Sequence, residues 1–361
     1  MNYKLFKTNQ IKGLGEKIEK VFSEGILTEG KYSDDFEKKF SEFIGNDKCV
    51  LLNSATSALT LAYRLIGIKK GDEVIVSPMT CMATNEPLEL LGAKLKFVDI
   101  DHKTGNVDIN NLEKIINNKT KAISLIHWGG QPFDIKNVRK IAKKFNIKVI
   151  EDAAHALGAK YENKLIGNHG NYTVFSFQAI KHLTSVDGGV LVCPSKSEVD
   201  RAKKLRWFGL SRKFKGSKWK QDIKESGYKF HMNNVLATIG IENLKNLKSK
   251  INKHVFNGKF YDKNINNTKI TLLDRHNTLN TFWIYSILVD SKYKFKKYME
   301  KNRIDCDEVF IRNDKYTVFK KFRSQKLKGT DIFEKHMVNI PVGWWLNKKD
   351  ISYIVDVVNK Y

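Results

Sequence analysis

Apolar residues recur at two periods along the chain, and the switches between them mark out its elements. Ile11, Leu14, Ile18, Val21 and Phe22 fall at helical spacing, and Gly25 ends that helix. Ser33 is expected to cap a second helix, with Phe36, Phe40, Phe43 and Ile44 on one face and Gly45 as its stop. Residues 50–52 read as a strand. It runs through Asn53-Ser54-Ala55-Thr56-Ser57 into a helix faced by Leu59, Ala62, Leu65 and Ile66. From there the two patterns alternate. Strands are expected at 73–77, 95–100, 121–127 and 148–151. Helices between them are marked by Met82, Leu88 and Leu91, by Leu112, Ile115 and Ile116, and by Ile135, Val138, Ile141, Ala142 and Phe145. Residues 172–177 and 190–192 are two further strands. This alternation predicts an α/β fold with a mostly parallel sheet covered on both faces.

The second half is less regular. Residues 206–209 end a helix, 213–224 form a basic loop, and Val235, Leu236, Ile239, Leu244 and Leu247 mark a helix that continues past 248. A strand over 281–289, a helix over 293–301, a strand over 337–340 and a last helix capped by Asn347 suggest a smaller α+β domain. The expected division is a large domain over 1–249 and a small one over 250–361.

Composition narrows the function. With 361 residues, 41% hydrophobic and 11% aromatic, the chain can bury a sizeable core. The net charge of +25 is spread along the whole length, with no Arg-rich block. No nucleic-acid partner is expected. The field suits a phosphorylated cofactor and a pyrophosphate-bearing substrate. Cys49, Cys81, Cys193 and Cys306 stand far apart with no CxxC, so neither a disulfide framework nor a thiolate metal site is expected. The first residues lack the apolar core of a signal peptide, and no apolar run approaches the ~18 residues of a membrane span. A cytoplasmic protein without membrane insertion is the expectation.

Chemistry centres on residues 175–189. Lys181 lies in a loop between two strands, which makes it a candidate to form a Schiff base; the alternative is that it is one of many lysines. The first-turn amides after residue 53, with the hydroxyls of Ser54, Thr56 and Ser57, can form an anion site. Ordinary capping by Asn53 or Ser54 is the alternative. Ligands of such sheets bind beyond the carboxyl ends of strands, where Thr56, His127, Asp152, His155 and Lys181 all fall. Pyridoxal phosphate needs a lysine, a carboxylate on its ring nitrogen, a phosphate cup and a group near its phenolic oxygen. Lys181, Asp152, the Ser54-Ala55-Thr56 turn with Ser176, and His155 can supply these in turn. A metal hydrolase built on His127, Asp152 and His155 has no close His spacing behind it.

Several spaced motifs carry a resemblance. They are Asn53-Ser54-Ala55-Thr56-Ser57-Ala58-Leu59, Gly71-Asp72-Glu73-Val74-Ile75-Val76, Phe97-Val98-Asp99-Ile100-Asp101, Gly130-Gln131-Pro132, Glu151-Asp152-Ala153-Ala154-His155, Phe175-Ser176-Phe177, Lys181, Asp187-Gly188-Gly189 and Gly227-Tyr228. Together they resemble the DegT-type nucleotide-sugar aminotransferases, strongly over about residues 10–250 and loosely beyond. The resemblance implies the pyridoxal-phosphate-dependent transferase fold type I, aspartate-aminotransferase-like, with a seven-stranded sheet in the large domain. It implies Lys181 as Schiff-base lysine and proton carrier, Asp152 on the ring nitrogen, His155 beside the cofactor, and Ser54, Ala55, Thr56 and Ser176 around the phosphate. Pyridoxamine 5'-phosphate would be the intermediate form. A homodimer is implied. Where relatives send an Asn to the neighbouring subunit's phosphate this chain has Lys229, so the contact would come from Lys229 of the partner subunit. Where relatives stack an aromatic ring on the cofactor this chain has Cys81. Sugar dehydratases of the family carry histidine at the lysine position. Lys181 therefore favours transamination, with dehydration or epimerisation as the alternative. The expected activity is transfer of an amino group, from glutamate, to a nucleotide-linked keto-deoxysugar for cell-surface polysaccharide. Arg206, Arg212, Lys215, His231 and Arg312 are candidates to bind that substrate.

Overall fold

The computed structural model describes every residue except 1, 213, 215, 217–219 and 277. Its centre is a seven-stranded sheet of β1 (Cys49–Leu52), β2 (Glu73–Val76), β3 (Lys94–Phe97), β4 (Thr120–Ile126), β5 (Lys148–Asp152), β8 (Tyr172–Ser176) and β9 (Gly189–Val192), in the order β1-β9-β8-β5-β4-β2-β3. Neighbours pair in parallel from β3 across to β8; β9 alone runs against the rest, pairing antiparallel with both β8 and β1. The expected α/β architecture with a mostly parallel sheet is what forms. All but the edge strand β3, where Lys94 is exposed and Lys96 half-buried, are buried on both faces over most of their length, as a doubly covered sheet requires. Successive side chains alternate between two cores. Ile123, Phe175 and Val190 pack with Phe36 and Phe40 of α2 (Lys31–Ile44). Val76, Val174 and Leu191 pack on the other face with Leu59 and Ala62 of α3 (Ala55–Ile66).

Other elements complete the covering: α1 (Leu14–Ser23), α4 (Met82–Leu90), α5 (Ile109–Ile115), α6 (Ile135–Lys144), α7 (Lys196–Leu205) and α8 (Asn234–Leu244). The long α9 (Leu247–Asn264) spans residue 250 and leads to a second core. There β10 (Ile270–Leu272), β12 (Tyr285–Val289) and β13 (Met337–Ile340) form an antiparallel sheet. The helices α10 (Lys292–Lys301), α11 (Lys328–His336) and α12 (Lys348–Lys360) accompany it, and Phe295, Met299, Ile340, Ile351 and Ile354 fill the space between. A small third sheet pairs β6 (Lys160–Tyr161) with β7 (Lys164–Leu165) and with β11 (Thr278–Leu279).

Three local expectations are corrected. Ser33 is the third residue of α2, not its cap; Gly30 is the cap, and the Ser33 hydroxyl accepts the Gly30 amide at 2.9 Å. The helix expected to run from Val235 past 248 breaks at Lys245–Asn246, which separates α8 from α9. The strand expected from 281 begins only at Tyr285, because Phe282 has a positive φ of 47° that no strand residue can hold.

Candidate active site

Strands β1, β2, β4, β5 and β8 end on one edge of the sheet, where β9 begins. Gly189 opens β9 and lies opposite both Leu52 and Ser176. A Cβ on Gly189 would stand 2.6 Å from the Ala55 nitrogen, so only glycine lets the Ser54-Ala55 turn close against the strand. Ser54 caps α3: its Oγ accepts the Ser57 amide at 3.0 Å and pairs with the Ser57 hydroxyl at 2.9 Å. The amides of Ala55 and Thr56 belong to the unsatisfied donors of a helix start, at its positive end. Ser176 is buried beside them at the end of β8.

Asp152, at the end of β5, is buried and locked. Its Oδ2 accepts the Thr84 hydroxyl at 2.6 Å and its Oδ1 accepts the Ala154 amide at 3.0 Å. His155, three residues on, is 1% exposed and packed among aromatic rings. Trp283 stacks on it at 3.9 Å and 17°, and Phe310 lies at 5.5 Å and 9°. Neither ring nitrogen of His155 has a hydrogen-bond partner among the described residues. Burial first, and the Lys181 charge second, hold its pKa well below the usual histidine value, so the ring is neutral at pH 7. Two orphaned nitrogens in the interior are what a group awaiting a ligand looks like.

Lys181 follows β8 in a turn, its amide bonded to the Gln178 carbonyl at 2.9 Å. Its amine stands 3.5 Å from the centre of the Trp283 ring. Burial lowers its pKa from 10.5 to about 8, against the opposing pull of Asp152 and Cys81. Cys81 is half-buried at the start of α4. Lys229 is exposed, and its carbonyl accepts the Asn53 side-chain amide at 3.4 Å, next to the Ser54 turn of its own chain.

The edge does not gather every candidate. His127 points away from it. The ring is fully buried, stacks on Phe133 at 4.3 Å, donates from Nε2 to Glu151 at 3.0 Å and accepts the Phe133 amide at 3.2 Å. It is a satisfied core histidine, and no cluster of metal-ligating side chains occurs among the described residues. Arg206 is tied inside the fold to Glu29, to Glu37 at 3.2 Å and to the Leu51 carbonyl at 2.7 Å. Arg312 is buried with both arms on Asp314, at 2.7 and 2.8 Å, and a further contact to Asp331. Both are held by carboxylates inside the fold; Arg206 Nε has no partner among the described residues, but the side chain is buried. Arg212 pairs with Glu29 at 2.8 Å, and His231 meets the Trp207 ring edge-on at 4.4 Å. Lys215 lies outside the described residues, as does Lys213 at the head of the basic loop.

Four site residues escaped the sequence reading. Thr84 holds Asp152 and is itself bonded to the Thr80 hydroxyl at 2.9 Å; the Thr80/Thr84 spacing of one helical turn was its signal. Asn313 accepts from Asn85 at 2.8 Å and pins the loop after β2 through the Pro78 and Thr80 carbonyls, at 2.7 and 2.8 Å. Trp283 and Phe310 reach His155 from the C-terminal third, and no local pattern points to them.

A family model agrees with this arrangement over almost the whole chain: the DegT/DnrJ/EryC1/StrS aminotransferase family matches residues 10–359. The chain belongs to this family. Aminotransferases of the DegT type use pyridoxal 5'-phosphate. Among curated members, the UDP-4-amino-4,6-dideoxy-N-acetyl-beta-L-altrosamine transaminase of Campylobacter jejuni subsp. jejuni serotype O:23/36 (strain 81-176) is 32% identical, over 95% of this chain and 93% of that protein. Among solved structures, AtS13 from Actinomadura melliaura superposes with a TM-score of 0.96 at 34% identity, covering 100% of this chain and 99% of that one. The sugar aminotransferase CalS13 from Micromonospora echinospora gives 0.95 at 31%, covering 99% of each. No helix among the described residues of this DegT-family chain is long and apolar enough to cross a membrane.

Proposed function

We propose that this aminotransferase moves an amino group from an amino acid, glutamate first, to the keto group of a nucleotide-linked deoxysugar, in the making of cell-surface polysaccharide. One observation carries the reading: a lysine amine, a locked carboxylate, an orphaned histidine and a helix start meet at one sheet edge, in a member of an aminotransferase family. The name of the Campylobacter relative, a UDP-sugar transaminase, supports the substrate class.

Pyridoxal phosphate, when bound, supplies an aldehyde carbon for amine exchange and a ring that draws electrons from the carbon carrying the nitrogen. The chain's own residues do the rest. Ser54, Ala55 and Thr56 at the start of α3, with Ser176, hold the phosphate. Asp152, fixed by Thr84, keeps a positive charge on the ring nitrogen. A ring nitrogen of His155 would bond the phenolic oxygen, giving one of its two orphaned nitrogens a partner. Cys81 would flank the ring, with less stacking area than an aromatic side chain. Lys181 takes the proton from the donor carbon and returns it, a task suited to an amine that changes charge near neutral pH. The positive surface favours the substrate's pyrophosphate. In the same reading the protein is a cytoplasmic homodimer, Lys229 of the partner subunit adds a charge at the phosphate, and residues 250–361 form the smaller domain.

The test is an incubation of pyridoxal-loaded protein with glutamate and a UDP-linked 4-keto-6-deoxysugar. Equal release of 2-oxoglutarate and amino-sugar is expected, and borohydride should leave the cofactor on Lys181. Sugar product without 2-oxoglutarate would mean dehydration or epimerisation instead.

A further inference from the structure

Residues 280–284 reach from the C-terminal third into the sheet edge, and they are held there under strain. Phe282 has a φ of 47°, a conformation that bulky residues keep only when the surroundings impose it. Those surroundings are specific. The Thr281 amide donates to the Gly130 carbonyl at 3.2 Å, and the Thr281 carbonyl accepts from His182 Nε2 at 3.2 Å. The Phe282 amide donates to Asn280 Oδ1 at 2.7 Å, and the Phe282 carbonyl accepts from His254 Nδ1 at 2.8 Å. A Cβ on Gly258 would run into the Phe282 ring, so α9 must carry glycine there.

The strained segment delivers one side chain, Trp283, which is 3% exposed. Its Nε1 donates to the Ile180 carbonyl at 2.9 Å, directly before Lys181. The imidazole of His155 covers one face of the indole at 3.9 Å. The Lys181 amine, 3.5 Å from the ring centre, therefore takes the other face. We propose that Trp283 is a positioning residue of the reaction: its indole holds the free Lys181 amine as an ammonium ion on one side and fixes the plane of His155 on the other. This rests on the reading of Lys181 as the reacting amine. An aromatic face attracts a cation and does nothing comparable for a neutral amine, and the attraction grows where water is excluded. Burial pulls the other way. The balance leaves a lysine that can carry a proton without wandering and give it up near neutral pH.

The experiment follows acetylation of Lys181 by acetic anhydride, read by mass spectrometry, on the full-length chain loaded with pyridoxamine phosphate. In that form the amine is free. At pH 7 the Trp283→Leu protein should be labelled roughly tenfold faster than the unmodified chain, as an ammonium loses its aromatic face. Trp283→Phe keeps a ring and should stay nearer the unmodified rate. Fluorinated tryptophan, which drains charge from the ring face with little change of shape, should speed labelling in the unmodified chain and not in Trp283→Phe. That comparison decides the matter even where Trp283→Leu fails to fold. Equal rates across the fluorinated series overturn the proposal. Absence of a borohydride adduct on Lys181 in the unmodified protein would instead overturn the reading beneath it.

Discussion

His127 follows β4 and His155 follows β5, one strand apart in the same sheet, and both are buried. His127 is fully used: Glu151 and the Phe133 amide take its two nitrogens, and Glu151 is held in turn by Asn171 at 2.7 Å. His155 has the Trp283 indole stacked on one face, Phe310 nearby, and nothing on its nitrogens among the described residues. Equal burial and a place just past a strand end thus say little. What separates a structural histidine from a functional one is whether its polar atoms are already satisfied.

That contrast can be broken in order of size. The largest effect belongs to the amine that His155 neighbours. Lys181→Ala should lower transamination by about 10²–10⁴-fold, in a steady-state assay of 2-oxoglutarate release, while the melting temperature changes little. Next comes the same substitution made at both histidines. His127→Phe keeps the ring stack but strands Glu151 and the Phe133 amide, and urea unfolding should show a loss of about 3 kcal/mol with activity per folded molecule retained. His155→Phe also keeps its stack, and should leave stability unchanged or slightly raised, yet lower activity roughly tenfold through loss of the hydrogen bond proposed to the cofactor. If the two variants behave alike, the distinction drawn here is wrong. The smallest effect is in pH. Lys181 must be neutral to take a proton, and with its pKa lowered to about 8 its neutral fraction rises as pH rises. A single-turnover rate limited by that step should grow about fivefold from pH 7 to 8 and then level off. A rate that keeps climbing toward pH 10 would show an amine with its ordinary value.

Much of this was legible along the chain. The alternation of periods predicts the sheet and its two covering layers, because burial on both faces demands continuous apolar strands. Each strand end then names its own candidates, and Ser54, Ala55, Thr56, Asp152, His155, Ser176 and Lys181 do meet at one edge. Local pattern misplaced Ser33 because a hydroxyl at the third helical position bonds back to the cap as readily as one at the cap bonds forward. It extended a strand back to 281 because apolar, aromatic residues in series look the same in a strand and in a strained loop.

The residue order by itself determined the elements, the fold class and the candidates for chemistry, since these depend on spacing and on side-chain type within short windows. Only the tertiary structure decided which of them are free to act. The satisfaction of His127, the tethering of Arg206 and Arg312 and the arrival of Trp283 beneath Lys181 all depend on partners distant in sequence. A hydrogen bond or a stacked ring is a property of the pair, and no single stretch of chain contains both members.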